Sequence, residues 1–136
     1  MGYDGNNIGG YNTDAPQWTQ FIGKTIESFD WTKDSIVIRF TDGNEITGNA
    51  WGECCSVTWL ESIDLPENIS GTLVNIEDID MPTLPHDEKA YECLQFYGVK
   101  ISTSKGSAVI DYRNESNGYY GGSIDWYWTK KVGGNA

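Results

Sequence analysis

The sequence SIVIRFTDGNEITGNAW, residues 35–51, decides the fold class of this chain. Its first part places apolar side chains at alternate positions from residue 36 to residue 40, a period of two that is typical of a strand with one buried face. An Asp-Gly pair at residues 42–43 follows, and this pair suits the positive φ angles of a tight turn. A second strand-like run, residues 45–51, comes next, so the stretch predicts an antiparallel β-hairpin.

Strand patterns recur on both sides of that hairpin. Residues 22–29 predict a strand that joins the hairpin through a turn at residues 31–34. Further strands are predicted at residues 54–63, 72–79, 91–102, 107–113 and 119–129. Residues 66–73 are predicted as a short helix, because Pro66 suits a first helical turn. We therefore expect a mainly β protein whose antiparallel sheet forms a β-sandwich or a partly open barrel, with at most one short helix.

Length and composition predict one domain. A chain of 136 residues is long enough for a single hydrophobic core and short for two. Residues 1–17 are rich in Gly, Asn and Tyr without apolar periodicity, so we expect a flexible N-terminal tail. The single β-rich domain then covers residues 18–130, and residues 131–136 form a flexible C-terminus.

The charge balance limits the kinds of partner that the chain is expected to bind. The chain carries a formal charge of -11, from 20 acidic and 9 basic residues, which argues against direct nucleic-acid binding. Two interpretations stay open: an acidic surface for solubility, or a mimic of nucleic acid whose contact face lies in residues 64–88. No stretch approaches the roughly 20 apolar residues that a membrane span needs, and no secretory signal is seen. We expect a cytoplasmic protein that does not bind membranes.

The cysteines indicate neither a metal site nor an active site. Three cysteines do not form a disulfide framework, and His86 is the only histidine available as a fourth metal ligand or as a base. No phosphate-binding loop or metal motif is present. The sequence therefore predicts no cofactor, no metal, no catalytic residue and no enzymatic activity.

A candidate binding loop follows the strand in SAVIDYRNESNGYY, residues 107–120. Its planar cation, side-chain amides and tyrosine rings could together hold a nucleotide-like or sugar-like ligand. An ordinary tight turn between strands is the alternative, because Asn and Gly adopt turn conformations readily. Trp51 and Arg39, the other arginine of the chain, complete the candidate set. The predicted ligand-binding residues are Arg113, Asn114, Asn117, Tyr119, Tyr120, Trp51 and Arg39.

The chain resembles an uncharacterised family of small proteins encoded largely by phages and prophages. The resemblance covers roughly residues 20–125 and rests chiefly on the Glu53-Cys54-Cys55 run and on ESNGYY at residues 115–120. In that family we expect an acidic residue on both sides of the double cysteine, whereas Ser56 follows it here. The resemblance implies a small phage-type protein and assigns no catalytic residue.

Two functional expectations follow. The first is a phage counter-defence protein that sequesters a small nucleotide-derived immune signal without chemistry, in the cytoplasm of the infected bacterium. Its site would lie at a subunit interface, and the many aromatic residues permit a homo-oligomer. The alternative is an acidic inhibitor that binds a host defence nuclease or another host defence protein. The same aromatic residues are also compatible with two other functions, a virion component and a carbohydrate-binding module.

Overall fold

The computed structural model describes residues 18–53, 55–83, 93–116 and 121–130. A 3-10 turn, Trp18–Phe21, precedes the first strand. The strands of this part of the chain are β1 Ile26–Trp31, β2 Ser35–Phe40, β3 Glu45–Gly52, β4 Ser56–Asp64, β5 Leu73–Asp80, β6 Cys93–Thr103, β7 Gly106–Ser116 and β8 Gly122–Lys130. Sheet I has the order β1-β2-β3-β8, sheet II has the order β4-β7-β6-β5, and every pairing is antiparallel.

The predicted hairpin is confirmed as β2 and β3. Ile36, Ile38 and Phe40 are buried on the inner face of sheet I, and Ile38 lies opposite Ile46 of β3. Gly43 adopts a φ of 90°, as the Asp-Gly turn requires. The two sheets face each other across an apolar core and do not close into a barrel, so the expected β-sandwich is confirmed.

The core is apolar and aromatic. Trp126 of β8 is its largest fully buried side chain. Phe21 of the 3-10 turn stacks on Phe40, with ring centroids 5.4 Å apart, and meets Trp128 edge-on at 5.1 Å. The turn at Trp18–Phe21 therefore packs its aromatic side chains into the sandwich, a role that the sequence patterns did not predict.

Backbone hydrogen bonds also tie the two sheets together. Thr25, just before β1, forms an antiparallel bridge with Thr72, just before β5. Elsewhere, the amide of Leu60 in β4 donates to the carbonyl of Lys33, in the turn between β1 and β2, at 2.8 Å. Main-chain bonds thus connect sheet I to both edges of sheet II, at β4 and just before β5.

The helix predicted at residues 66–73 was wrong. Asn68 Oδ1 instead accepts hydrogen bonds from the amide and the hydroxyl of Ser70, at 3.0 and 2.6 Å. The carbonyl of Gly71 accepts the amide of Ile26 at 3.0 Å, so the segment bonds to sheet I rather than to its own helical turn. The acidic strand predicted at residues 72–79 is confirmed as β5.

The predicted limits of the candidate loop were also wrong. The strand expected to end at residue 113 continues to Ser116, because Asn114 pairs with Thr58 on one side and with Gln95 on the other. The predicted tails, residues 1–17 and 131–136, lie outside the described residues. Among the residues that the structure describes, no helix has the length and apolarity needed to cross a membrane.

Candidate ligand-binding site

Arg113 lies at the centre of an aromatic row on the outer face of sheet II. The register places Trp59 of β4 directly opposite Arg113 of β7, and Phe96 of β6 directly opposite on the other side. The row forms because β7 lies between β4 and β6, and because alternate residues of a strand face opposite sides. Asp111, two residues before Arg113, faces the same side.

The Arg113 side chain is held in place by several weak contacts. Its Cζ lies 4.9 Å from the centroid of the Phe96 ring, within cation–π range. Nη2 donates to Asp111 Oδ2 at 3.3 Å, and Nη1 lies 3.7 Å from Glu61 Oε1, both longer than a strong ionic hydrogen bond. Nε is buried with no partner in the described part of the chain. The guanidinium is thus positioned but retains donor capacity.

The charges around Arg113 limit what this site can bind. Glu61 and Asp111 together carry more negative charge than Arg113 carries positive charge. Glu61 is further fixed because Trp59 Nε1 donates to its Oε1 at 2.9 Å. Since the local charge is negative, the site favours an uncharged polar or aromatic group over a phosphate. A nucleobase or a ribose fits that requirement through stacking and hydrogen bonds.

Asn114 faces the interior of the sandwich. It is fully buried, and Nδ2 donates to Ser56 Oγ at 3.1 Å and to Thr58 Oγ1 at 2.8 Å. The sequence placed Asn114 on a loop beside Arg113, but successive residues of β7 face opposite sides of the sheet. In this conformation Asn114 has no exposed surface with which to contact a ligand.

Arg39 and Trp51 lie on the other sheet. Arg39 Nε donates to Glu45 Oε2 at 3.1 Å, and its Nη1 is paired with Asp30. The hydrogen bond to Asp30 and the bond to Glu45 raise the pKa of the Arg39 guanidinium, although burial opposes them. Trp51 is 37% exposed and lies at the far end of β3 from Glu45, roughly 20 Å along the strand. Neither residue shares a site with Arg113 within one protomer.

The remaining predicted residues, Asn117, Tyr119 and Tyr120, lie outside the described residues. The structure does describe the residues on either side of this segment, Ser116 and Gly121. Gly121 donates its amide to Glu53 Oε1 at 2.9 Å, and the Glu53 amide donates to the Gly121 carbonyl at 3.0 Å. The run at residues 53–55 and the segment that follows ESNGYY are therefore joined. This gives Glu53 a role in positioning the backbone, which the sequence did not predict.

Sequence reasoning missed the residues that hold Arg113. Asp111 could have been found, since an i, i+2 pair on a strand shares one face. Glu61 and Phe96 could not, because they meet Arg113 only through the register of β4 and β6. Wherever the structure describes the chain, no three His, Cys, Asp or Glu side chains are grouped to hold a metal ion. Cys55 and Cys93 are not joined in a disulfide, while Cys54 and His86 lie outside the described residues.

The predicted acidic face is partly described. Glu77, Asp78 and Asp80 are exposed on β5, an edge strand of sheet II. Glu67 is exposed in the segment before β5. The other two acidic residues of that predicted face, Asp87 and Glu88, lie outside the described residues.

Comparison with known proteins places the chain in a family without adding a function. No match was found among curated proteins, and none among solved structures. Residues 19–126 match a family described as a domain of unknown function, DUF7448. That match spans all of the described strands except the last residues of β8. The chain therefore belongs to the DUF7448 family.

Proposed function

We propose that this protein is a non-catalytic binding protein of phage origin that sequesters a small nucleotide-derived immune signal. The observation that carries the proposal is the Arg113 guanidinium, which lies on the Phe96 ring with only long contacts to Asp111 and Glu61. The strand that carries Arg113 runs directly into the Asn-Gly-Tyr-Tyr segment at residues 117–120. A rigid strand thus presents a planar cation, and in the sequence the amide and tyrosine residues follow it four to seven positions later.

The local charge assigns a part of the ligand to this site. Glu61 and Asp111 would repel a phosphate placed on Arg113, whereas a base or a ribose can accept hydrogen bonds from the guanidinium. Stacking of a base on an aromatic side chain contributes on the order of 1 to 3 kcal/mol. The phosphate groups of the signal would therefore point away from the Arg113 row, towards solvent or a second protomer.

Native mass spectrometry tests this proposal. The purified protein is mixed with a panel of cyclic and linear nucleotides, and the bound mass and the subunit number are read together. We expect a stoichiometric nucleotide adduct that Arg113→Ala removes. Arg39→Ala is the matched control, because it removes the same charge from the outer face of the other sheet. If no nucleotide binds, or if both variants weaken binding equally, the Arg113 site is rejected.

An acidic inhibitor of a host defence protein is the second candidate function. Glu77, Asp78 and Asp80, exposed on an edge strand, favour it because they place negative charge along a strand that has only one neighbour in the described part of the chain. Lysate of the bacterial host is passed over the immobilised protein and eluted with about 1 M salt, where the Debye length is about 3 Å. Elution of a nucleic-acid-binding protein supports this function, whereas capture that resists salt contradicts it.

A further inference from the structure

A cleft that shares Phe96 with the Arg113 row opens where the end of β5 meets β6 and the start of β8. Its volume is about 330 Å³, which is enough for a small organic group. The side chains that form its walls include Asp78, Asp80, Met81, Tyr97, Tyr112 and Ser123.

Two stacked tyrosines form one wall of the cleft. The rings of Tyr97 and Tyr112 lie with centroids 5.1 Å apart and planes 15° apart. Tyr97 donates its hydroxyl to Gln95 Oε1 at 2.9 Å. Tyr112 is only 4% exposed, yet its hydroxyl makes no hydrogen bond to another residue that the structure describes. The hydroxyl of a buried ring that reaches a cleft, with no partner among the described residues, is an available ligand contact.

The described lining of the cleft carries negative charge. Asp78 and Asp80 contribute carboxylates, and no described residue of the lining is a lysine or an arginine. Burial raises the pKa of the Tyr112 hydroxyl, and the nearby Asp78 carboxylate raises it further. Asp78 therefore acts electrostatically on the tyrosine wall.

We propose that this cleft binds an organic cation, an ammonium or guanidinium group carried on an aliphatic chain. The carboxylates attract the charge, the ring of the partly exposed Tyr97 can take part in cation–π contact, and Met81 offers apolar contact to the chain. The Tyr112 hydroxyl adds a hydrogen-bonding group whose oxygen can accept an N–H. A bare metal ion does not fit, because the described residues hold no group of three metal-ligating side chains. The cation comes either from a basic side chain of a partner or from a free polyamine.

Isothermal titration calorimetry with defined probes tests the proposal. Spermidine represents a free polyamine, and acetyl-Gly-Arg-Gly-amide represents a basic side chain; the same peptide with citrulline in place of arginine is the uncharged control. We expect one cationic probe to bind with one-to-one stoichiometry and the citrulline peptide to bind at least about tenfold more weakly. The tighter of the two cationic probes identifies the source of the cation.

Variants then locate the bound cation. Asp78→Asn should weaken binding by about tenfold, and Tyr112→Phe by about threefold without changing the net charge. Asp64→Asn is the matched control, since Asp64 is an exposed carboxylate on β4, the opposite edge strand of sheet II. Equal weakening by Asp64→Asn and Asp78→Asn would show attraction to overall charge and overturn the proposal. Absence of binding by both cationic probes would overturn it as well.

Discussion

Asn114 and Thr58 are joined inside the sandwich by a hydrogen bond of 2.8 Å from the Asn114 amide to the Thr58 hydroxyl. They lie opposite each other on β7 and β4, and Gly122 of the other sheet lies directly above them. A Cβ atom at Gly122 would come 2.9 Å from Asn114 Nδ2 and closer still to Thr58 Oγ1. The sheets can approach here because one of them has no side chain at this point.

Asn114→Ala should destabilise the protein by about 2 kcal/mol, because it removes a fully buried amide and leaves the partly buried Ser56 and Thr58 hydroxyls without their donor. Urea unfolding followed by tryptophan fluorescence measures the change. Asn75→Ala is the control, since Asn75 is on an edge strand and its side chain bonds only to Glu77 among the described residues. Its cost should stay within about 0.5 kcal/mol. Equal costs would mean that the buried amide has no special role.

Gly122→Ala should destabilise the protein, and most of its cost should depend on Thr58. In a double-mutant cycle, Gly122→Ala is measured in the wild-type and Thr58→Ala backgrounds. Removal of the Thr58 side chain makes room for the new methyl group, so we expect a coupling of about 1 kcal/mol or more in the direction of rescue. Strict additivity would contradict the close approach that the structure shows.

The contribution of Tyr112 to the free energy of unfolding should be lost at high pH. Burial raises the pKa of its hydroxyl above the ordinary value of 10.0, so the folded protein keeps a proton that the unfolded chain releases. This stability is complete below about pH 10 and falls as the pH rises towards the folded-state pKa. Urea unfolding at pH 8 and pH 11 should show a larger loss for the wild type than for Tyr112→Phe. The same loss in both proteins would refute this assignment.

Glu61→Gln should strengthen binding of an anionic nucleotide at the Arg113 row. Glu61 lies 3.7 Å from Arg113 Nη1, and removal of its charge makes the local potential more positive. Nucleotide titrations at low salt should show an affinity gain of about threefold or more. Glu67→Gln removes the same charge from an exposed position before β5 and should leave affinity unchanged. Weaker binding by Glu61→Gln would indicate that the carboxylate itself contacts the ligand.

Neutralising β5 should promote self-association. Charged side chains on an edge strand prevent pairing with the edge of another molecule. The double variant Glu77→Gln, Asp80→Asn should therefore sediment as a larger species at concentrations where the wild type does not. The control variant Asp34→Asn, Glu67→Gln has the same net charge but no change on β5. If both variants associate to the same extent, the association results from the change in net charge alone.

Periodicity predicted the hairpin of β2 and β3 because apolar residues recur at alternate positions there and those residues, such as Ile36 and Ile38, are buried. It failed at Asn114, since a polar residue that faces the core breaks the pattern although the strand continues. The Pro66 signal for a helix failed at residues 66–73, where the Gly71 carbonyl accepts a hydrogen bond from sheet I. Local sequence carries no information on that distant donor.

The candidate site shows the same limit. Arg113 and its orientation follow from alternation along β7, so the sequence could identify the residue. The partners Glu61 and Phe96 arrive from strands on either side and depend on register, which no single segment encodes. Asn114 was grouped with Arg113 because they are neighbours in sequence, and the pleat of the strand then separated them.

Because β8 pairs with β3, sheet I can be completed only after the whole of sheet II has been synthesised. β3 is complete at residue 52, but its second neighbour in sheet I begins only at residue 122. A growing chain must therefore keep one edge of β3 open while all of sheet II is translated. Only when β8 leaves the ribosome can Trp126 fill the core, so the nascent protein exposes its aromatic interior until β8 has been synthesised.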